Sequence, residues 1–127
     1  MPKLPAPEIL VVDDDPHVRE ALADFLIDEG FRVRDAENGA DALEQLAAHR
    51  EQPSLVILDL AMPVMDGYLF LQQLQADQTA ASVPVVILSA SIDQGGLPDY
   101  IVQLRKPIES QALVKTIRGI LGARYPI

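Results

Sequence analysis

Cysteine is absent from this chain of 127 residues. Disulfides, thiolate nucleophiles and zinc–thiolate sites are excluded with it. Long apolar runs are missing too, and no stretch approaches the roughly 20 residues that a membrane-spanning helix needs. The first residues, Met1-Pro2-Lys3-Leu4-Pro5-Ala6-Pro7, carry no apolar core behind their charge, so a signal peptide is not expected. Positive charge is scarce: 10 Lys and Arg stand against 19 Asp and Glu, a formal net charge of -9. Such a chain repels phosphate backbones, and direct nucleic-acid contact is not expected. Internal repeats and low-complexity tracts are lacking. These absences are compatible with the cytoplasm, where we expect the protein to reside.

What is present is enough for a core. Hydrophobic residues make up 49% of the chain, which suits a packed globule of one domain. The three prolines among the first seven residues mark residues 1–7 as a flexible lead-in, and the domain is expected over 8–127. Short apolar runs then alternate with helical patterns. Glu8-Ile9-Leu10-Val11-Val12 reads as a buried strand. Asp15 can cap a helix whose first turn suits Pro16. Val18, Ala21, Leu22, Phe25 and Leu26 share one face of that helix, and Gly30 ends it. Residues 31–36 form a weaker, charged strand of the kind found at a sheet edge. Asn38-Gly39 opens a second helix with Leu43, Leu46 and Ala47 inward. Residues 54–59 make an apolar strand ending in Asp59, and Asp66 can cap a third helix containing Leu71 and Leu74. Residues 83–89 make another apolar strand, ending in Ser89. Residues 101–105 form a fifth, running into Lys106-Pro107. A last amphipathic helix carries Leu113, Ile117, Ile120 and Leu121.

Strands apolar on both faces, alternating with helices, imply a parallel sheet covered on both sides. Right-handed crossovers and five strands suggest an α/β, flavodoxin-like, doubly wound sheet of order 2-1-3-4-5. In such sheets ligands bind beyond the carboxyl ends of the strands, near the switch in strand order. Strand one runs into Asp13-Asp14, strand three into Asp59, strand four into Ser89 and strand five into Lys106. Each residue alone has an ordinary explanation as a cap, a loop hydroxyl or a surface charge, and His17 and His49 look like solvated surface residues. Their joint occurrence at successive strand ends outweighs this. Three converging carboxylates repel one another, and a single lysine offsets them too little. Oxygen-only ligation suits a hard divalent cation, with Mg2+ the usual choice. A carboxylate, Mg2+ and a lysine together make a phosphoryl-transfer site in which the carboxylate attacks.

The carrying segments are Ile9-Leu10-Val11-Val12-Asp13-Asp14-Asp15-Pro16, Leu55 through Gly67, Pro84 through Ala90, and Lys106-Pro107. In this order they resemble the receiver domain of two-component response regulators, from about Glu8 to Ala123. By this resemblance Asp59 is the phosphorylated aspartate, Asp14 the direct Mg2+ ligand, and Asp13 a ligand acting through water. The backbone carbonyl of Ala61 completes the metal shell. Ser89 turns its hydroxyl to the phosphoryl group and Lys106 pairs with it, aimed by a cis Lys106-Pro107 bond. A histidine kinase or histidine phosphotransfer protein is then the donor, and a downstream protein the target. Whether the domain stands alone or is a module of a longer protein stays open.

Two positions depart from the family. Gln103 stands where a switching aromatic is usual, and we expect it to stay at the surface. The stretch from Ser89 to Lys106 is short by about five residues, more than one helical turn, and contains Gly95-Gly96 and Leu97-Pro98. A short, distorted or absent fourth helix is expected, with residues 91–99 as a mobile carrier of the signal. Two other functions compete. An aspartate-nucleophile phosphohydrolase would place a second acid two residues after the nucleophile, where this chain has Ala61. A degenerate receiver acting only as a binding module would not need the intact acids, Ser89 and Lys106.

Overall fold

The computed structural model describes residues 6–48, 52–59, 67–76, 83–89 and 101–122. The elements run β1 (Glu8–Val12), α1 (Pro16–Asp28), β2 (Arg32–Ala36), α2 (Gly39–Ala48), β3 (Leu55–Asp59), α3 (Gly67–Ala76), β4 (Val85–Ser89), β5 (Val102–Arg105) and α4 (Ser110–Leu121). All five strands are parallel, in the order β2-β1-β3-β4-β5. The expected doubly wound sheet and its strand order are thus found. The expected short or distorted helix, the mobile carrier at 91–99 and the Asp66 cap lie outside the described residues.

Strand composition explains the order. β3 is buried along its whole length, and the apolar residues of β1 and β4 are buried too. These three fill the middle of the sheet. β2 carries the charged residues Arg32, Arg34 and Asp35 and sits at one edge, where the exposed ladder tolerates them. Alternation along the strands sends side chains to two apolar layers. Leu10, Val12, Val56, Leu58 and Ile87 meet Ala42, Leu46, Phe70, Leu71 and Leu74 of α2 and α3. On the other face Ile9, Val11, Ile57 and Val86 meet Leu26 of α1 and Leu113, Ile117 and Leu121 of α4.

The helices start and stop where local chemistry dictates. Asp15 caps α1 by accepting the amides of His17 at 2.9 Å and Val18 at 3.3 Å, with Pro16 in the first turn. Gly30 follows α1 at φ 99°, a left-handed conformation that other residues adopt only with strain. Asn38 accepts the Asp41 amide at 2.8 Å at the start of α2. Just before β2, Arg118 of α4 donates to the Glu29 carbonyl at 3.1 Å and lies over the Phe31 ring, 5.6 Å from its centre. At the same end, Ala6 and Pro7 accept hydrogen bonds from Arg32 through their carbonyls.

Two inward faces differ from the pattern. In α2 the buried residues are Gly39, Ala42 and Leu46, Leu43 is half-buried, and Ala47 is exposed. The contact stripe is centred about one residue off the expected one, with the small residues Gly39 and Ala42 buried and Ala47 exposed. In α1 only Leu26 is fully buried. Val18 and Ala21 are exposed, and Leu22 and Phe25 are half-covered. The apolar face of α1 is wider than its contact with the sheet.

Candidate functional site

Register brings the acids together. Val12 of β1 pairs with Leu58 of β3, so Asp13 follows the sheet at the same height as Asp59. Asp13 and Asp59 are buried, Asp14 is exposed, and one carboxylate oxygen from each lies within 4.8 Å of the others. Asp59 pairs with Leu88 of β4, and Ser89 stands one position beyond. Ser89 in turn pairs with Arg105, which places Lys106 just past the end of β5. Nζ of Lys106 is 3.5 Å from Oδ2 of Asp59. The Lys106-Pro107 peptide is cis, as the family resemblance implies. Ala61 lies outside the described residues.

The loop after β1 is held by a set of short bonds. Asp13 donates its amide to the Ala36 carbonyl at 3.2 Å and accepts the Asp15 amide on Oδ1 at 2.9 Å. Burial pushes the Asp13 carboxyl above its usual pKa. The Asp15 amide pulls it back, Asp59 pushes it up, Lys106 pulls it down and Asp14 adds a further push. Three carboxyl groups thus stand together in one cluster, with Lys106 paired to Asp59. All its donors are oxygens and two of the three are buried, a set that fits a hard divalent cation such as Mg2+. When bound, such an ion would neutralise the carboxylates and polarise a phosphoryl oxygen.

Beside Lys106 an apolar groove of about 630 Å³ runs along α1, lined by Val18, Leu22, Phe25, Pro107, Ile108 and Leu113 among others. The residues of α1 that the sheet leaves uncovered are the ones that form it. Helical spacing puts Val18 and Ala21 on one face with Leu22, Phe25 and Leu26, and does not show that part of that face lines a groove. Arg19 was also missed. Its Nη1 donates to the Asp13 carbonyl at 2.8 Å and its Nε to Oδ2 of Asp35 at 3.2 Å. The available signal was its place one turn after the Asp15 cap, on the side of α1 facing the loop. Gln103 is half-buried rather than fully at the surface.

The family model for the response regulator receiver domain matches residues 9–118. The chain is 40% identical over 120 residues to the response regulator Rre1 of Synechocystis, covering 90% of this chain and 51% of that protein. It is 33% identical over 122 residues to protein PilH of Pseudomonas aeruginosa, covering 90% of this chain and 97% of that one. The chain spans about half the length of Rre1 and of most other curated relatives it matches. Among solved structures, the receiver domain of a signal transduction histidine kinase from Syntrophus aciditrophicus is similar, with a TM-score of 0.84 at 27% identity. That match covers 96% of this chain and 95% of that one. The receiver domain of a sensor histidine kinase from Pseudomonas aeruginosa has a magnesium ion coordinated in its active-site cleft. It matches with a TM-score of 0.80 at 26% identity, over 92% of this chain and 98% of that one.

Proposed function

Since the chain belongs to the family of response regulator receiver domains, we propose that residues 8–127 form a domain that accepts a phosphoryl group on Asp59. The observation that carries this is the clustering of Asp13, Asp14 and Asp59 within 4.8 Å, with Lys106 3.5 Å from Asp59. Asp14 would hold Mg2+ directly, Asp13 would hold it through water, and Asp59 and the Ala61 carbonyl would complete the protein ligands. An Asp59 oxygen attacks the phosphorus. The bond from phosphorus to the donor's leaving atom breaks, and its electron pair stays with that atom. Lys106 and the Ser89 hydroxyl then hold the oxygens of the new acyl phosphate. The phosphoryl group ends on the chain's own carboxylate, so the domain assists its own modification and does not turn over a separate substrate.

The donor is a phosphohistidine on a histidine kinase or a phosphotransfer protein. Delivery to Asp59 requires contact around the site's rim, and the apolar groove beside Lys106 supports seating of the donor there. The output is a contact with a downstream protein rather than with nucleic acid, in keeping with the net charge of -9. No described helix is long and apolar enough to cross a membrane, and we place the protein in the cytoplasm.

Incubation with acetyl phosphate and Mg2+ tests this reading by intact mass. Wild type should gain one hydroxylamine-labile phosphoryl group, and Asp59→Asn none. A normal yield in Asp59→Asn would sink the assignment of the nucleophile. Sustained release of phosphate from simple phosphomonoesters would favour a phosphohydrolase instead.

A further inference from the structure

Arg19 makes no use of the groove that α1 offers. It turns to the loop that carries the acid pair. Its side chain is only 18% exposed. Nη1 donates to the carbonyl of Asp13 and Nε to the carboxylate of Asp35, near the end of β2. That carbonyl belongs to the peptide joining Asp13 to Asp14. A peptide is planar, so fixing its oxygen fixes ψ of Asp13 and φ of Asp14 together. The amide on the other side of Asp13 is already bound to the Ala36 carbonyl. With both of its peptides pinned, Asp13 has one backbone conformation, and the direction of the Asp14 side chain follows from the second peptide plane.

We propose that Arg19, anchored by Asp35, is a positioning residue that sets the metal affinity of the Asp13–Asp14 pair through their shared peptide. This rests on the reading of the acids as a Mg2+ site. Asp35 is itself held, since its own carbonyl accepts from Gln45 of α2 at 2.7 Å. The anchor therefore ties the metal loop to the edge strand and to α2. The contact that Arg19 makes with the acid pair is to the backbone carbonyl of Asp13, not to a carboxylate of the cluster. The cation that draws on the Asp13 carboxyl is Lys106.

The positioning and charge explanations predict opposite signs. Removing a cation beside a cation site should tighten Mg2+ binding. Removing a positioning contact should loosen it. We expect Arg19→Ala to raise the Mg2+ dissociation constant about tenfold, the loss of one charge-assisted hydrogen bond partly passed on to the site. Asp35→Ala, at an exposed edge position, should raise it about two- to threefold with the fold intact. Calorimetric titration with Mg2+ measures both. In the metal-free protein the Asp14 amide resonance should shift in Arg19→Ala, because that amide lies in the held peptide. Arg118→Ala serves as a stability control remote from the acids, and its Mg2+ affinity should match wild type. Unchanged or tighter binding in Arg19→Ala, no change in Asp35→Ala, or equal weakening in Arg118→Ala would each overturn the proposal. If wild type neither binds Mg2+ nor takes a phosphoryl group, the Mg2+-site reading falls with it. If wild type does both and Arg19→Ala binds normally, only the role of Arg19 falls.

Discussion

Asp13 is buried in a cluster with Asp14 and Asp59, and its carboxyl pKa is raised, first by burial. The folded protein thus binds a proton there more readily than the unfolded chain does. From this group alone, stability is fully present below the ordinary carboxyl range and is lost as the pH rises through the raised folded value. Asp13→Asn removes that loss while keeping an oxygen for the Asp15 amide. The variant should melt a few degrees above wild type at neutral pH without metal, and the gap should close toward acid pH. Added Mg2+ should reverse the order, because wild type gains a ligand that the variant binds poorly. Scanning calorimetry over a pH series, with and without Mg2+, checks all three statements. Lys106, beside Asp59 and only partly exposed, should matter little to the free protein and much to the phosphorylated one. Lys106→Ala should still accept phosphate from acetyl phosphate but show weaker amide shifts on phosphorylation, read by NMR.

Helix α1 is started by one side chain, which accepts two amides at its first turn. Asp15→Ala should cost about 0.5–2 kcal/mol, measured by urea unfolding. The central strand offers a harsher test. Ile57 of β3 is buried, and Ile57→Ala should cost about 2–5 kcal/mol. The elements themselves were legible in the sequence, because β1, β3 and β4 are apolar on both faces and only a two-sided parallel sheet buries them so. The acids were legible for the same reason: each ends one of those runs. Helix faces were less legible. Ala47 looked inward by spacing, yet Ala42 is the buried alanine, since periodicity does not show how closely small residues let a helix approach. Val18 and Ala21 share the apolar face of α1 with Leu26 by spacing, but the sheet does not cover all of that face. For Arg19 the sequence shows only its place one turn after the Asp15 cap, because nothing in residue spacing says that a long side chain will end on a particular carbonyl.

At the level of the whole molecule, metal and fold are linked. An ion that binds only the folded chain stabilises it by mass action, about 2.7 kcal/mol at a hundred times its dissociation constant. Mg2+ should therefore raise the urea midpoint of wild type. Asp14→Ala should lose that gain while starting from an equal or higher metal-free midpoint, since one repelling charge is gone. An equal concentration of a monovalent salt separates this from screening of the net charge of -9. The two apolar layers are unequal in when they can form. The α2 and α3 side needs nothing after Ile101, whereas the opposite side needs Leu113, Ile117 and Leu121 of the last described helix. Arg118 then clasps Glu29, 89 positions earlier in sequence. During synthesis, Ile9, Val11, Ile57 and Val86 must wait with the cover of α1 alone until α4 clears the ribosome. The nascent chain is for that interval a half-coated sheet, open to holding chaperones and to proteases, and its cooperative fold closes only after α4 has been made.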